Sequence, residues 1–152
     1  MYADLAPHDP DGILQHEWLN ARGAIARFDR HAIEIRVLDV QEHPAADLAI
    51  AQAASDAVRL LHEGRWSDTG IQNALPTERL AGWLLEAARD GERAVVDDRA
   101  WLRALGFPER KGEMGEIWRH LVESGAAAGA GVEARAALAT ILDRGPLARR
   151  ML

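Results

Sequence analysis

Apolar and polar residues alternate along His31–Val40, which is the pattern of a β-strand with two different faces. One face carries only branched apolar side chains, namely Ile33, Ile35 and Val37. The opposite face carries an acid and a base, Glu34 and Arg36. A shorter run just before it, Ala24–Phe28, predicts a second strand that pairs antiparallel with the first.

Beyond residue 43 the apolar positions follow helical spacing instead. Glycine and proline separate the segments with this spacing and mark where each helix should end. Pro44 suits the first position of a helix, while Thr77 and Asp97 are candidate N-caps. The predicted helices cover 45–63, 78–90, a short segment after Asp97, 113–124 and 132–144. A loop is expected over 65–76, a small-residue linker over 125–131, and one helical turn within 13–19.

These elements predict an α+β fold that is mostly helical, with one or two antiparallel strands followed by four or five helices. At 152 residues the chain is long enough for one domain with a sizeable core. Residues 1–43 would hold the strands and 44–152 the helical portion. Two strands alone do not form a stable sheet, so we expect them to pack on the helices or to complete a sheet in another chain.

Composition excludes several classes of function. A net charge of −6 argues against a nucleic-acid partner, because no basic surface is present to neutralise phosphates. The absence of cysteine excludes disulfides, thiolate zinc sites and a cysteine nucleophile, and is compatible with a reducing cytoplasm. No apolar stretch reaches the length of a membrane span. We expect a cytoplasmic protein with no membrane partner.

The candidate chemistry is concentrated around the predicted strands. Four arginines lie within fifteen residues, and they are Arg22, Arg27, Arg30 and Arg36. Clustered arginines pair with acids or bind anions, and a nearby glutamate can ligate a hard cation such as Mg²⁺. On pattern alone, a cross-strand ion pair on a solvated face is the simpler interpretation of Glu34. Asp29 and Asp39 are expected to neutralise part of the cluster.

Three runs resemble the signature of the type 2 glutamate–cysteine ligases, the YbdK-type carboxylate–amine ligases of the glutamine synthetase-like superfamily. The runs are EWLNARGAIARFDR (17–30), AIEIRVLDVQ (32–41) and HPAADLAIA (43–51). A looser similarity continues through WSDTG (66–70) and PTERLAGWLLEAARDGERAVV (76–96), so the resemblance covers most of the chain. It is specific in the first third and generic afterwards.

The resemblance implies an ATP-dependent ligase that phosphorylates a carboxylate and lets an amine displace the phosphate, as in glutathione biosynthesis. It implies that Glu34 is a ligand of Mg²⁺ (or Mn²⁺) and that Arg36, with Arg30, contacts the transferred phosphate. Arg27 and Arg22 are the remaining candidates for ATP binding, and which of them faces the site stays open.

Members of that family are more than twice this length, and their other metal-binding acids lie in an amino-terminal half. The resemblance therefore implies a carboxy-terminal portion or a short relative. A homodimer or a separate chain carrying the amino-terminal half would complete the site. The alternative is a non-catalytic helical module that keeps the signature strand as structure and works by association. A split gene product without activity of its own is a third possibility.

Overall fold

The computed structural model of the chain describes residues 2–13 and 23–152. The chain divides into two compact units, 1–39 and 40–152. The fold is α+β and mostly helical, which confirms the prediction of fold class. The helical turn expected within 13–19 lies almost wholly outside the described residues, as does Arg22.

The amino-terminal unit contains an antiparallel hairpin. Strands β1 (Ala24–Arg27) and β2 (Ala32–Ile35) pair with Ala24 opposite Ile35 and Arg27 opposite Ala32. A short 3-10 turn, Phe28–Arg30, connects them, and His31 completes the reversal in a left-handed conformation with φ of 49°. A one-turn helix, α1 (Tyr2–Leu5), and a 3-10 turn (Ala6–His8) precede the hairpin.

The second strand of the hairpin is shorter than expected. Strand β2 ends at Ile35, whereas the alternation predicted a strand as far as Val40. Its apolar face is also open, since Ile33 is 61% exposed and Ile35 39% exposed. The paired residues Ala24 and Ala26 of β1 share that face and are exposed as well. The hairpin thus has two distinct faces, as predicted, but solvent reaches the apolar one.

The second unit holds the remaining elements. Its helices and strands are α2 (Pro44–His62), α3 (Thr69–Asn73), α4 (Thr77–Asp90), β3 (Val95–Val96), α5 (Arg99–Ala104), β4 (Gly112–Glu113), α6 (Met114–Glu123), α7 (Val132–Arg144) and α8 (Leu147–Arg150). The five predicted helices correspond to α2, α4, α5, α6 and α7. Helices α3 and α8 and the short antiparallel ladder β3–β4 were not predicted.

Two predicted N-caps are displaced by one residue. Pro76 occupies the N-cap position of α4 without a side-chain hydrogen bond, and Thr77 is the first residue of the helix. Helix α5 is capped by Asp98 rather than Asp97, because the Asp98 carboxylate accepts hydrogen bonds from the backbone N–H groups of Ala100 and Trp101.

The core of this unit consists of three clusters. An alanine-rich one joins α2 to α7, where Ala49 and Ala53 pack near Leu138. Small side chains allow the two helix backbones to approach closely. A second cluster contains Ala57, Leu121 and Ala126, and a third contains Val96, Leu102 and Ile117. Trp83 and Trp101 pack on the third cluster, as expected of core tryptophans, whereas Trp118 is 36% exposed.

The stretch 125–131 is a packed turn and not the predicted linker. Ala126 and Ala127 are buried, and Ala127 adopts a left-handed backbone conformation with φ of 71°. The carboxylate of Asp56, itself buried on α2, accepts a hydrogen bond of 3.0 Å from the Ala127 N–H. Gln52 and Arg59 donate to the same carboxylate. This acid therefore fixes the turn between α6 and α7.

The carboxy terminus is anchored to the start of the unit. Arg150 donates two hydrogen bonds to the Glu42 carboxylate, at 2.9 and 2.7 Å. The Leu147 N–H donates to the side-chain oxygen of Gln41, which is buried. Together these contacts place α8 against the residues that lead into α2.

Candidate functional site

The polar face of the hairpin brings three of the predicted site residues together. Glu34 on β2 and Arg27 on β1 are diagonal neighbours, because Glu34 pairs with Ile25 in the antiparallel register. Arg27 Nη1 donates to Glu34 Oε2 at 2.8 Å, and Arg36 Nε donates to Glu34 Oε1 at 2.8 Å. The carboxylate therefore lies between two guanidinium groups, one from each side.

Arg30 joins this group indirectly, through Asp29 in the connecting turn. Asp29 Oδ1 lies 3.5 Å from Arg27 Nε, and its Oδ2 lies 3.5 Å from Arg30 Nε. The side chain of Arg30 is 70% exposed. The result is a chain of alternating charges in which Asp29 neutralises part of the arginine cluster, as the sequence indicated.

The arginines control the ionisation of both acids. The hydrogen bond from Arg27, followed by that from Arg36, lowers the pKa of Glu34 below its ordinary value of 4.5. For Asp29, desolvation raises the pKa, but the hydrogen bond and charge of Arg27 outweigh it, so the net shift is downward. Both carboxylates are ionised at neutral pH, and the guanidinium groups stay charged.

The hairpin by itself does not fit a magnesium ion. A glutamate carboxylate is a suitable oxygen ligand, but both oxygens of Glu34 already accept hydrogen bonds from arginine. Among residues 2–13 and 23–152, no group of three or more acidic or histidine side chains is arranged to hold a metal. Glu42 and Asp47, the acids that follow in the sequence, serve other contacts, with Arg150 and with the Gln41 N–H. Further ligands would have to come from elsewhere.

What the hairpin offers chemically is a surface for binding anions. Arg27 and Arg36 present planar donor groups on the same face as Glu34, and such groups match the oxygens of phosphate or carboxylate. The side chains of Arg27 and Arg36 are 16% and 28% exposed, so solvent reaches a part of each. An incoming phosphate would compete with Glu34 for the same N–H donors.

Sequence reasoning identified the members of this site but not all of their links. It named Arg27, Arg30, Glu34 and Arg36, and the structure places three of them in direct contact. It did not assign Asp29 as the residue that couples Arg30 to Arg27. The signal available was the Phe-Asp-Arg-His turn between two strands, where the central acid necessarily lies beside the arginines that flank it.

Comparisons with known proteins identify one relative and no family. No protein-family model matches the chain, and no solved structure matches it. A protein of Archaeoglobus fulgidus, itself described as uncharacterized, is 30% identical over 110 residues. That alignment covers 68% of this chain and 30% of the archaeal protein, so the chain spans about a third of the length of this relative. In the part of the chain that the structure describes, no helix is long and apolar enough to cross a membrane.

Proposed function

We propose that this chain supplies part of the phosphate-handling site of an ATP-dependent carboxylate–amine ligase of the glutamate–cysteine ligase type. The observation that carries the proposal is the placement of Glu34 between Arg27 and Arg36 on one face of the hairpin. The resemblance of the sequence puts metal binding on Glu34 and phosphate contact on Arg36, and Arg27 is one of its candidates for ATP binding.

The chemistry of such a reaction suits these side chains. Phosphoryl transfer to a carboxylate depends mainly on positioning and on stabilising the charge of the transferring group. Two guanidinium groups on one hairpin supply positive charge and directed N–H donors. Arg27 and Arg36 would hold phosphate oxygens, and Arg30 would extend the positive surface from the turn. The acyl phosphate formed from the carboxylate would then be attacked by the amine.

The proposal requires a second contributor. Magnesium prefers near-octahedral oxygen ligands, and in this hairpin Glu34 supplies one carboxylate. The remaining ligands would come from another chain or a second copy, which would also cover the open apolar face of the hairpin. The length of the archaeal relative is in keeping with such a larger assembly, since this chain corresponds to about 30% of it.

The test is ADP formation by the purified chain with Mg²⁺, ATP, glutamate and a panel of amines that includes cysteine. We expect ADP release that requires an amine, and a drop of at least about 100-fold in the Glu34→Gln variant. Arg36→Lys keeps the charge but loses the planar fork, so we expect an intermediate drop. Glu123→Gln, an exposed acid on α6, is the matched control and should retain full activity.

Two results would contradict the ligase proposal. If the chain releases no ADP and equilibrium dialysis detects no binding of Mg·ATP, the chain does not act as a ligase by itself. If ADP release is equal in the wild type and in Glu34→Gln, the hairpin is not the site. Circular dichroism of each variant shows whether it has folded.

One observation favours a second candidate, a non-catalytic association module. Each oxygen of Glu34 is satisfied by an arginine, as in a structural cross-strand ion pair. A module of this kind predicts that Glu34→Gln leaves every association of the chain unchanged. It also predicts no binding of Mg·ATP, and the same dialysis experiment therefore separates the two candidates.

A further inference from the structure

Helix α4 carries two apolar stripes, and only one of them packs against the rest of the unit. The inner stripe contains Leu80, Trp83 and Ala87, which are half-buried. No residue of α4 is fully buried. The outer stripe lies about a third of a turn away around the helix and is open to solvent.

The outer stripe follows the spacing of a helix-packing surface. Its members stand at i, i+3, i+4 and i+7, and they are Ala81, Leu84, Leu85 and Ala88. Leu85 is 71% exposed and Leu84 is 38% exposed, while the two alanines are exposed as well. A single exposed leucine is ordinary, but a continuous apolar stripe on a helix indicates a contact surface.

The charges beside the stripe identify the partner as a second copy of this chain. Glu78 and Arg89 lie on the same side of the stripe, three helical turns apart. In an antiparallel pair of identical helices, residues on one side of the stripe meet the same side of the other helix. Glu78 of each copy then faces Arg89 of the other, and both contacts form at once, as a twofold axis requires.

We propose that α4 is a dimerisation helix that packs antiparallel against α4 of a second copy. Leu85 of one copy fits over Ala81 of the other, and two Glu78–Arg89 ion pairs close the rim. Arg89 already donates to Asp90 at 2.7 Å, and its five N–H donors leave room for a second carboxylate. The inference is independent of the ligase proposal.

The size of this interface sets the expected affinity. The fourteen residues of α4 give a contact about 21 Å long. A single helix pair of that length buries less than the roughly 800 Å² per partner that is typical of stable complexes. We therefore expect a dimer with a dissociation constant in the micromolar range, visible as a monomer–dimer equilibrium and not as a permanent dimer.

Sedimentation equilibrium on the full chain, over a concentration series, tests the proposal. Leu85→Asp should raise the dissociation constant at least about tenfold, because it puts charge at the centre of the stripe. Val132→Asp is the matched control, since Val132 is 78% exposed on a different helix, and it should change nothing.

Charge reversal gives the sharpest test of geometry. Glu78→Arg and Arg89→Glu should each weaken association, by about threefold or more, because each creates two like-charge contacts. The double variant exchanges both signs and should return the constant to within about twofold of the wild type. A monomeric wild type, a dimer indifferent to Leu85→Asp, or a double variant weaker than either single one would overturn the proposal.

Discussion

The helical unit has local pairs of arginine and carboxylate, such as Arg89 with Asp90, as the hairpin does, but it also has pairs between residues far apart in sequence. In the hairpin, Glu34 pairs with residues two and seven positions away in sequence. In the helical unit, Arg150 reaches Glu42 across 108 positions, and Arg149 reaches Glu92 across 57. Long-range pairs fix the path of the chain, whereas short-range ones add little to it. Loss of the hairpin's ion pairs should therefore cost little of the stability of the fold.

The two regions also differ in how far their apolar side chains are buried. In the helical unit, Leu102 and Val96 are fully buried, and alanines bring α2 and α7 together. In the hairpin, Ile33 and Phe28 are 61% and 85% exposed. Two strands with an open apolar face are only marginally stable. The candidate chemistry thus lies on the part of the molecule that is least able to stabilise itself, and a partner that covers this face would order the site.

The largest effect on stability should come from the core of the helical unit. Leu102→Ala removes a side chain with no exposed surface, and we expect a loss of about 3 kcal/mol in the free energy of unfolding. Urea denaturation followed by tryptophan fluorescence measures it. Leu48→Ala is the matched control, since Leu48 on α2 is 69% exposed, and its effect should stay within about 0.5 kcal/mol. Equal effects in the two variants would contradict the assignment of the core.

The next effect should come from the buried acid on α2. Asp56→Ala leaves the N–H of Ala127 without its acceptor in a buried turn, and we expect a loss of about 2 kcal/mol. Asp56→Asn retains a side-chain oxygen and should lose less. Hydrogen exchange at the Ala127 amide reports the cause directly, because exchange there should accelerate in Asp56→Ala more than at the Leu102 amide. Uniform acceleration would mean that the acid does not hold this turn in particular.

The helices could be predicted from the sequence because their signals are local. Pro44 begins α2 and Gly91 caps α4, as the pattern indicated, and apolar spacing located the helices between such markers. The short ladder β3–β4 could not be found in this way. Each of its strands has two residues, too few for any alternation to show, and the two strands meet only through the tertiary fold.

The turn at 125–131 shows a different limit. Its composition of glycine and alanine is typical of a flexible linker, and no local signal distinguishes the two cases. The deciding contact comes from Asp56, which is 71 positions away. In the hairpin, by contrast, the division into two faces followed from alternation, whereas the register was not predicted. The contact of Glu34 with Arg27 follows once the register is known. The exposure of Ile33 depends on tertiary packing, which alternation along one strand does not report.

The smallest expected effect is on the pH dependence of the free energy of unfolding, and it distinguishes the carboxylate of Glu42 from that of Glu34. The hydrogen bonds from Arg150 lower the pKa of Glu42 from 4.5 to about 2. Because the folded pKa lies below the unfolded one, this pair stabilises the fold fully above pH 4.5 and loses its contribution as the pH falls towards 2. Urea denaturation between neutral pH and pH 3 should thus show Glu42→Gln less stable than the wild type at neutral pH, with the difference shrinking as the pH falls. Glu34→Gln should stay close to the wild type throughout, because the pairs of Glu34 join residues that are close in sequence. A larger loss in Glu34→Gln than in Glu42→Gln would mean that the hairpin's ion pairs stabilise the fold, and the contrast between the two regions would not hold.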